Sequence, residues 1–174
     1  MGEHPLLRSL RGGDRRSIGQ ADAAARAAIA DPACAEVLWQ GLLAATDPVV
    51  RMRCADALEK FSQRQPDFID AHRADLLQLA QAPQPKELRW HLMQMLPRAA
   101  WAPREHAAVL AAIRAALHDA SAIVQVNALQ ALHELAPRGE PFARAAAESL
   151  DEALQSPQAS VRARAARLAA SGRG

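Results

Sequence analysis

Apolar and small residues return every three or four positions along most of the chain, which is the spacing of one buried face on an α-helix. One helical phrase recurs four times. It runs Val50-Arg51-x-x-Cys54-x-x-Ala57-Leu58-x-x-Phe61, then Leu88-Arg89-x-x-Leu92-x-x-Met95-Leu96. It returns as Val124-Gln125-x-x-Ala128-x-x-Ala131-Leu132-x-x-Leu135 and as Val161-Arg162-x-x-Ala165-x-x-Leu168-Ala169. The anchors Val50, Leu88, Val124 and Val161 are 38, 36 and 37 residues apart. A near-constant period of this size predicts stacked units, because a single helical pair cannot bury its apolar face alone.

The pattern predicts nine helices. An opening helix over 15–30 keeps Ile18, Ala21, Ala25 and Ile29 on one face, and four antiparallel pairs follow: 33–45 with 48–62, 66–81 with 85–99, 103–118 with 121–136, and 141–155 with 157–170. Short connections favour antiparallel neighbours. Prolines 32, 48, 66, 85, 103, 141 and 157 stand where periodic stretches begin, in the helical turn that has no use for their missing N–H. Asp31, Asp47 and Ser156 precede three of them as expected N-caps, and Pro97 and Pro137 mark expected helix ends. The expected organisation is a loose tail over 1–13 and one repeat domain over 14–171, built as an all-α solenoid of about four helix pairs with a cap helix.

Composition sharpens the fold and narrows the function. The chain has 42 Ala and 21 Leu against 12 Val plus Ile, one Thr and no Tyr, which favours helices and argues against strands. The net charge of +2 is mildly basic, but it is distributed unevenly: −4 over 119–156 and +4 over 157–174. That leaves no continuous positive track of the kind a nucleic-acid backbone needs. Cys34 and Cys54 lack metal-ligand or disulfide-framework spacing, so reduced thiols in helices are expected. No apolar run approaches membrane length, and the first residues lack a secretory apolar core, so a cytoplasmic protein is expected.

Two helices per repeat, with "apolar-Arg-x-x-small-x-x-small-Leu-x-x-apolar" opening the second helix, resemble the HEAT-repeat family. Asp47-Pro48 and the Asp119 turn are similar to that family's inter-helix turns, and the resemblance covers roughly 33–170. The signatures of tetratricopeptide and ankyrin repeats are missing. The resemblance implies that second helices line a concave surface, and that the Arg after each anchor joins a ladder of hydrogen bonds with turn acids. Arg51, Arg89, Gln125 and Arg162 occupy that ladder column, with Gln125 as its interruption.

Two further columns are polar in every repeat: Arg53, His91, Asn127 and Arg164, and three residues later Asp56, Gln94, Gln130 and Arg167. Their separation puts both on one helical face, away from the apolar stripe. These eight residues are the expected partner-binding groove, and their mixed sign suits a protein surface better than a phosphate backbone. Trp39 and Trp90 are expected in the core or at seams between repeats, and Trp101 between helices is the expected exposed aromatic anchor. No catalytic motif, cofactor phrase or metal-ligand spacing occurs among the six His or elsewhere. The function expected is a non-catalytic, monomeric protein-binding scaffold without cofactor or metal. The alternative is a HEAT-like DNA-binding protein or alkylated-base DNA glycosylase, in which Trp90, Arg89 and Asp56 would hold the base.

Overall fold

The computed structural model describes residues 3–13, 17 and 19–171, and all regular structure among them is helical. The chain divides into two compact units, Met1–Ile69 and Asp70–Gly174. The first unit holds α1 (Pro5–Ser9), α2 (Ala21–Ala30), α3 (Pro32–Ala44) and α4 (Pro48–Ser62); the boundary falls inside α5 (Pro66–Ala71). The second holds α6 (Arg73–Gln81), α7 (Lys86–Met95), α8 (His106–Leu117), α9 (Ala122–Leu135), α10 (Glu140–Leu154) and α11 (Ala159–Ser171).

Local chemistry sets most of these boundaries. Asp31 and Asp47 cap α3 and α4 by accepting from the backbone N–H of Ala33 at 3.0 Å and of Val49 at 2.8 Å, each ahead of a proline at the first helical position. Pro97 and Pro137 stop α7 and α9, whose chains leave through 3-10 turns at Leu96–Arg98 and Ala136–Arg138. Ser156 caps the turn before α11 through Gln158 N–H at 3.2 Å, and α11 itself starts at Ala159, two residues after Pro157.

Three expectations about elements change. The predicted helix over 66–81 is broken at His72, although residues 67–82 contain neither Gly nor Pro to announce a break. The opening helix is shorter, starting at Ala21; Arg15 and Ile18 lie outside the described residues. The stretch expected as a loose tail forms α1, packs on α3 and buries Leu10 completely.

In the first unit α4 packs against both α2 and α3. Phe68 stands edge-on to Trp39 (centroids 6.0 Å apart) and to Phe61 (5.3 Å), a geometry that adds about 0.5–1.5 kcal/mol per pair beyond area burial. Gly41 of α3 lets α1 and α4 approach closely: a Cβ there would lie 2.5 Å from Leu7 Cδ2 and 2.8 Å from Cys54 Sγ. Both thiols are free, and burial pushes that of Cys54 up to about 12.

The second unit repeats one packing relation. α6 lies against α8 and α8 against α10, while α7 lies against α9 and α9 against α11. The phrase residues are what these contacts bury: Leu88, Leu92 and Met95 on α7, Val124, Ala128 and Leu132 on α9, and Val161, Ala165 and Leu168 on α11. Deleting one buried leucine side chain from such a face costs about 2–5 kcal/mol.

Candidate functional site

The ladder column serves the turns. Arg51 Nε donates to the Leu42 carbonyl at 3.0 Å, and Arg162 Nη1 donates to the carbonyls of Ser156 (2.7 Å) and Pro157 (3.0 Å). Gln125, though uncharged, does the same job by donating to the Asp119 carbonyl. Arg89 does more. Its Nη1 donates to the Gln84 carbonyl at 2.6 Å, and its other nitrogens meet Asp119 across the next turn, Nη2 to Oδ1 at 2.9 Å and Nε to Oδ2 at 2.7 Å. The hydrogen bond from Nη2 and the close charge contact at Nε, which is not aligned as a hydrogen bond, tie the hairpin α6/α7 to the hairpin α8/α9. Asp119 Oδ1 also accepts from Ser121 N–H at 2.8 Å.

The two groove columns behave differently in the two units. In the first unit the expectation that Arg53 and Asp56 face a partner is corrected: they are only 2 % and 5 % exposed, because the protein's own N-terminal segment covers them. Arg53 Nη1 donates to the carbonyls of Leu10 (2.7 Å) and Gly12, and its Nε donates to that of Ser17 at 3.3 Å. Close approach is possible because Gly19 sits at φ +52° with no side chain; a Cβ there would fall 2.7 Å from Arg53 Cζ. Asp56 and Asp22 share Lys60, whose Nζ donates to both carboxylates. Burial would lower the Lys60 pKa, but the bonds to Asp22 and Asp56 outweigh it and raise it; the same bond from Lys60 holds the Asp22 carboxyl below its ordinary value.

In the second unit the columns stay closer to the surface except at His91, whose expected place in the groove is corrected because only 8 % of it is exposed. His91 is mostly buried, standing edge-on to half-buried Trp90 at 5.4 Å, with Nδ1 3.2 Å from Gln94 Oε1. Asn127 Nδ2 donates to the Ile123 carbonyl at 2.8 Å and Gln130 Nε2 to Glu134 Oε1 at 2.8 Å. Arg164 Nη1 reaches from α11 to Gln130 Oε1 on α9 at 2.7 Å, so the columns of neighbouring helices adjoin. Its Nε is buried and has no hydrogen-bond partner. Arg167 is exposed. The structure therefore brings Asn127, Gln130, Arg164 and Arg167 onto one face of α9 and α11.

Trp101 is the other correction. The expected exposed anchor is 8 % exposed, and its indole N–H donates to the Leu96 carbonyl at 2.9 Å, which also accepts from Ala99 N–H at 3.4 Å. His106 Nε2 lies 3.1 Å from the Trp101 carbonyl while its ring packs 4.6 Å from Phe142. Glu105 accepts from Ala102 N–H at 2.8 Å and meets Arg73 at 3.4 Å; the backbone bond first and then the Arg73 charge hold its carboxyl below the ordinary value against partial desolvation. The loop is thus a buried clasp.

A residue that the phrase alignment missed is Arg138, which donates to the Ala99 carbonyl. It follows Pro137 as Arg98 follows Pro97, a second recurrence that lies outside the phrase. Of the set imagined to hold a damaged base, Arg89 is committed to Gln84 and Asp119, and Asp56 to Lys60. Among the described residues, no group of three or more His, Cys, Asp or Glu side chains is placed to hold a metal ion, and no helix is long and apolar enough to cross a membrane.

No family model matches the chain, and no curated protein matches it. Among solved structures, the crystal structure of an engineered protein, a target of the Northeast Structural Genomics Consortium, is similar in fold. It covers 94% of this chain and 76% of its own, with a TM-score of 0.64 and 23% identity, a likeness of fold alone.

Proposed function

We propose that this protein is a HEAT-like α-solenoid that works as a cytoplasmic, non-catalytic protein-binding module, using the polar face of its later second helices. The observation that carries the reading is the join between repeats at Arg164 and Gln130, which makes the polar columns of α9 and α11 one surface. Support also comes from the order of packing, α7 on α9 on α11, with their apolar phrase residues turned inward. Asn127, Gln130, Arg164 and Arg167 form the working part of that surface, and Gln94 flanks it on α7. Arg53 and Asp56 are left out, since the N-terminal segment already occupies them. A rigid helical face of this kind binds without much ordering cost, because its side chains stand on preformed helices.

The test is affinity capture from the source cells with the wild-type protein and with Arg164→Glu/Arg167→Glu, whose helicity is checked by circular dichroism. Proteins retained by the wild type and lost by the folded variant support the reading. Equal retention by both removes it.

A further inference from the structure

The second unit contains the same inter-hairpin cleft twice, once closed by an internal arginine and once without it. The earlier cleft, of about 230 Å³, lies between the hairpins α6/α7 and α8/α9 and is walled by Ala112, Ala115 and Ala116. Arg89 crosses it to Asp119. The later cleft, of about 310 Å³, lies between α8/α9 and α10/α11. Its positions are those of the first displaced by one repeat: Ser149, Glu152 and Ala153 stand for the three alanines, Gln125 for Arg89, and Ser156 for Asp119.

Gln125 removes the internal cation and Ser156 removes the carboxylate that held it, while Ser149 and Glu152 bring a hydroxyl and a new carboxylate to the α10 wall. Gln125 turns back to the carbonyl of its own turn, at Asp119, and does not cross the cleft. Ser156 Oγ keeps the capping bond that Asp119 makes, but carries no charge. Two alanine walls become a hydroxyl and a carboxylate. Among the described residues no cation pairs with Glu152, whereas Glu148 one turn earlier lies 4.0 Å from Arg144. Leu129, Ala153 and Val161 form an apolar floor against which an aliphatic stem can lie.

We propose that this cleft receives the guanidinium of an arginine side chain carried by a partner protein, in the space that Arg89 fills in the twin cleft but held from the α10 wall. Glu152 supplies the countercharge, Ser149 Oγ and the Gln125 side-chain oxygen accept the remaining N–H groups, and the methylene stem covers Leu129 and Val161. The site opens at the turn edge of the unit and is separate from the Asn127–Arg167 face, so it stands or falls independently of that surface.

The probe is the pentapeptide acetyl-Ala-Ala-Arg-Ala-Ala-amide, titrated into the isotope-labelled full chain and followed by amide chemical shifts. The expected result is saturable shifts at Gln125, Ser149, Glu152 and Gln158, at peptide concentrations on the order of millimolar. The citrulline peptide, neutral but of the same shape, gives none. Glu152→Gln weakens the arginine peptide about threefold to fivefold, as expected for one partly exposed ion pair. Gln125→Arg with Ser156→Asp, which installs the missing rung, abolishes the shifts; if that variant does not fold, Glu152→Gln decides alone. Equal shifts from the citrulline peptide, unchanged affinity in Glu152→Gln, or free arginine amide binding as well as the pentapeptide would overturn the proposal.

Discussion

Arg53 and Arg164 stand at the same position of the recurring phrase, three residues after Val50 and Val161, yet their surroundings have nothing in common. Arg53 is buried under backbone carbonyls from Leu10, Gly12 and Ser17, and Lys60 beside it links Asp56 to Asp22. Arg164 is half-buried, donates one hydrogen bond to Gln130 on the neighbouring helix and has a buried Nε without a hydrogen-bond partner. The lesson is that a repeated position specifies a direction on the helix and not a role. What the chain places over that direction decides whether a charge holds the fold together or remains for something else.

The widest gap between the two regions is expected in stability. Arg53→Met strands three carbonyls and removes a buried charge from its acceptors, so it should cost about 3 kcal/mol in urea unfolding, since bonds to charged groups contribute roughly 1.5–3 kcal/mol each and the loss is shared. Arg164→Met should cost less by the same measurement, about 0.5–1.5 kcal/mol, since it loses one hydrogen bond to Gln130. If the two variants lost equal stability, the distinction between them would be gone.

Within the second unit, a smaller contrast separates the two turns. Asp119→Ala removes both a backbone cap and the Arg89 contact and should cost about 1–2 kcal/mol. Ser156→Ala removes a cap alone and should cost less, about 0.5–1 kcal/mol. Thermal unfolding of the pair checks the order, and a larger loss for Ser156→Ala would mean that Arg89 and Asp119 do not link the hairpins.

The smallest effect concerns pH. The Asp22 carboxyl is held below its ordinary value by Lys60, so what it adds to stability is complete above the ordinary carboxylate pKa and fades as pH falls through the lowered folded value. Asp22→Asn should therefore narrow the difference in melting temperature between neutral and acid solution, slightly, because the group is at the surface. An unchanged acid limb would show that the bond to Lys60 contributes nothing in water.

Much of the helical order was readable in the residues, for identifiable reasons. Asp31-Pro32 and Asp47-Pro48 combine a cap with a proline at the first helical position, and α3 and α4 begin where those pairs stand. Pro97 and Pro137 end α7 and α9 because a ring without an N–H cannot continue the ladder. The break at His72 was not readable, since residues 67–82 hold neither Gly nor Pro and weak helix formers such as Asp70 and His72 are common inside helices. The site was less legible than the fold. Periodicity identifies the polar face of α4 but carries no information about a segment some 40 residues earlier in the chain, so the burial of Arg53 could not be foreseen. Trp101 was misjudged for a related reason: an aromatic in a short loop reads as exposed unless a carbonyl for its N–H is recognised nearby, and Leu96 supplies one. Gln125 looked like a broken rung, yet its amide reaches its own turn; what is missing is the link to the following turn, which only the pairing of Arg89 with Asp119 makes visible.

The contrast between Arg53 and Arg164 can be read most directly by chemical labelling of guanidinium groups in the folded protein, with each arginine followed by mass spectrometry. Arg167 should react first and Arg164 more slowly, while Arg53 remains protected until the protein unfolds. Labelling of Arg53 at the rate of Arg164 under native conditions would mean that the N-terminal segment does not cover α4, and the account would fail at its centre.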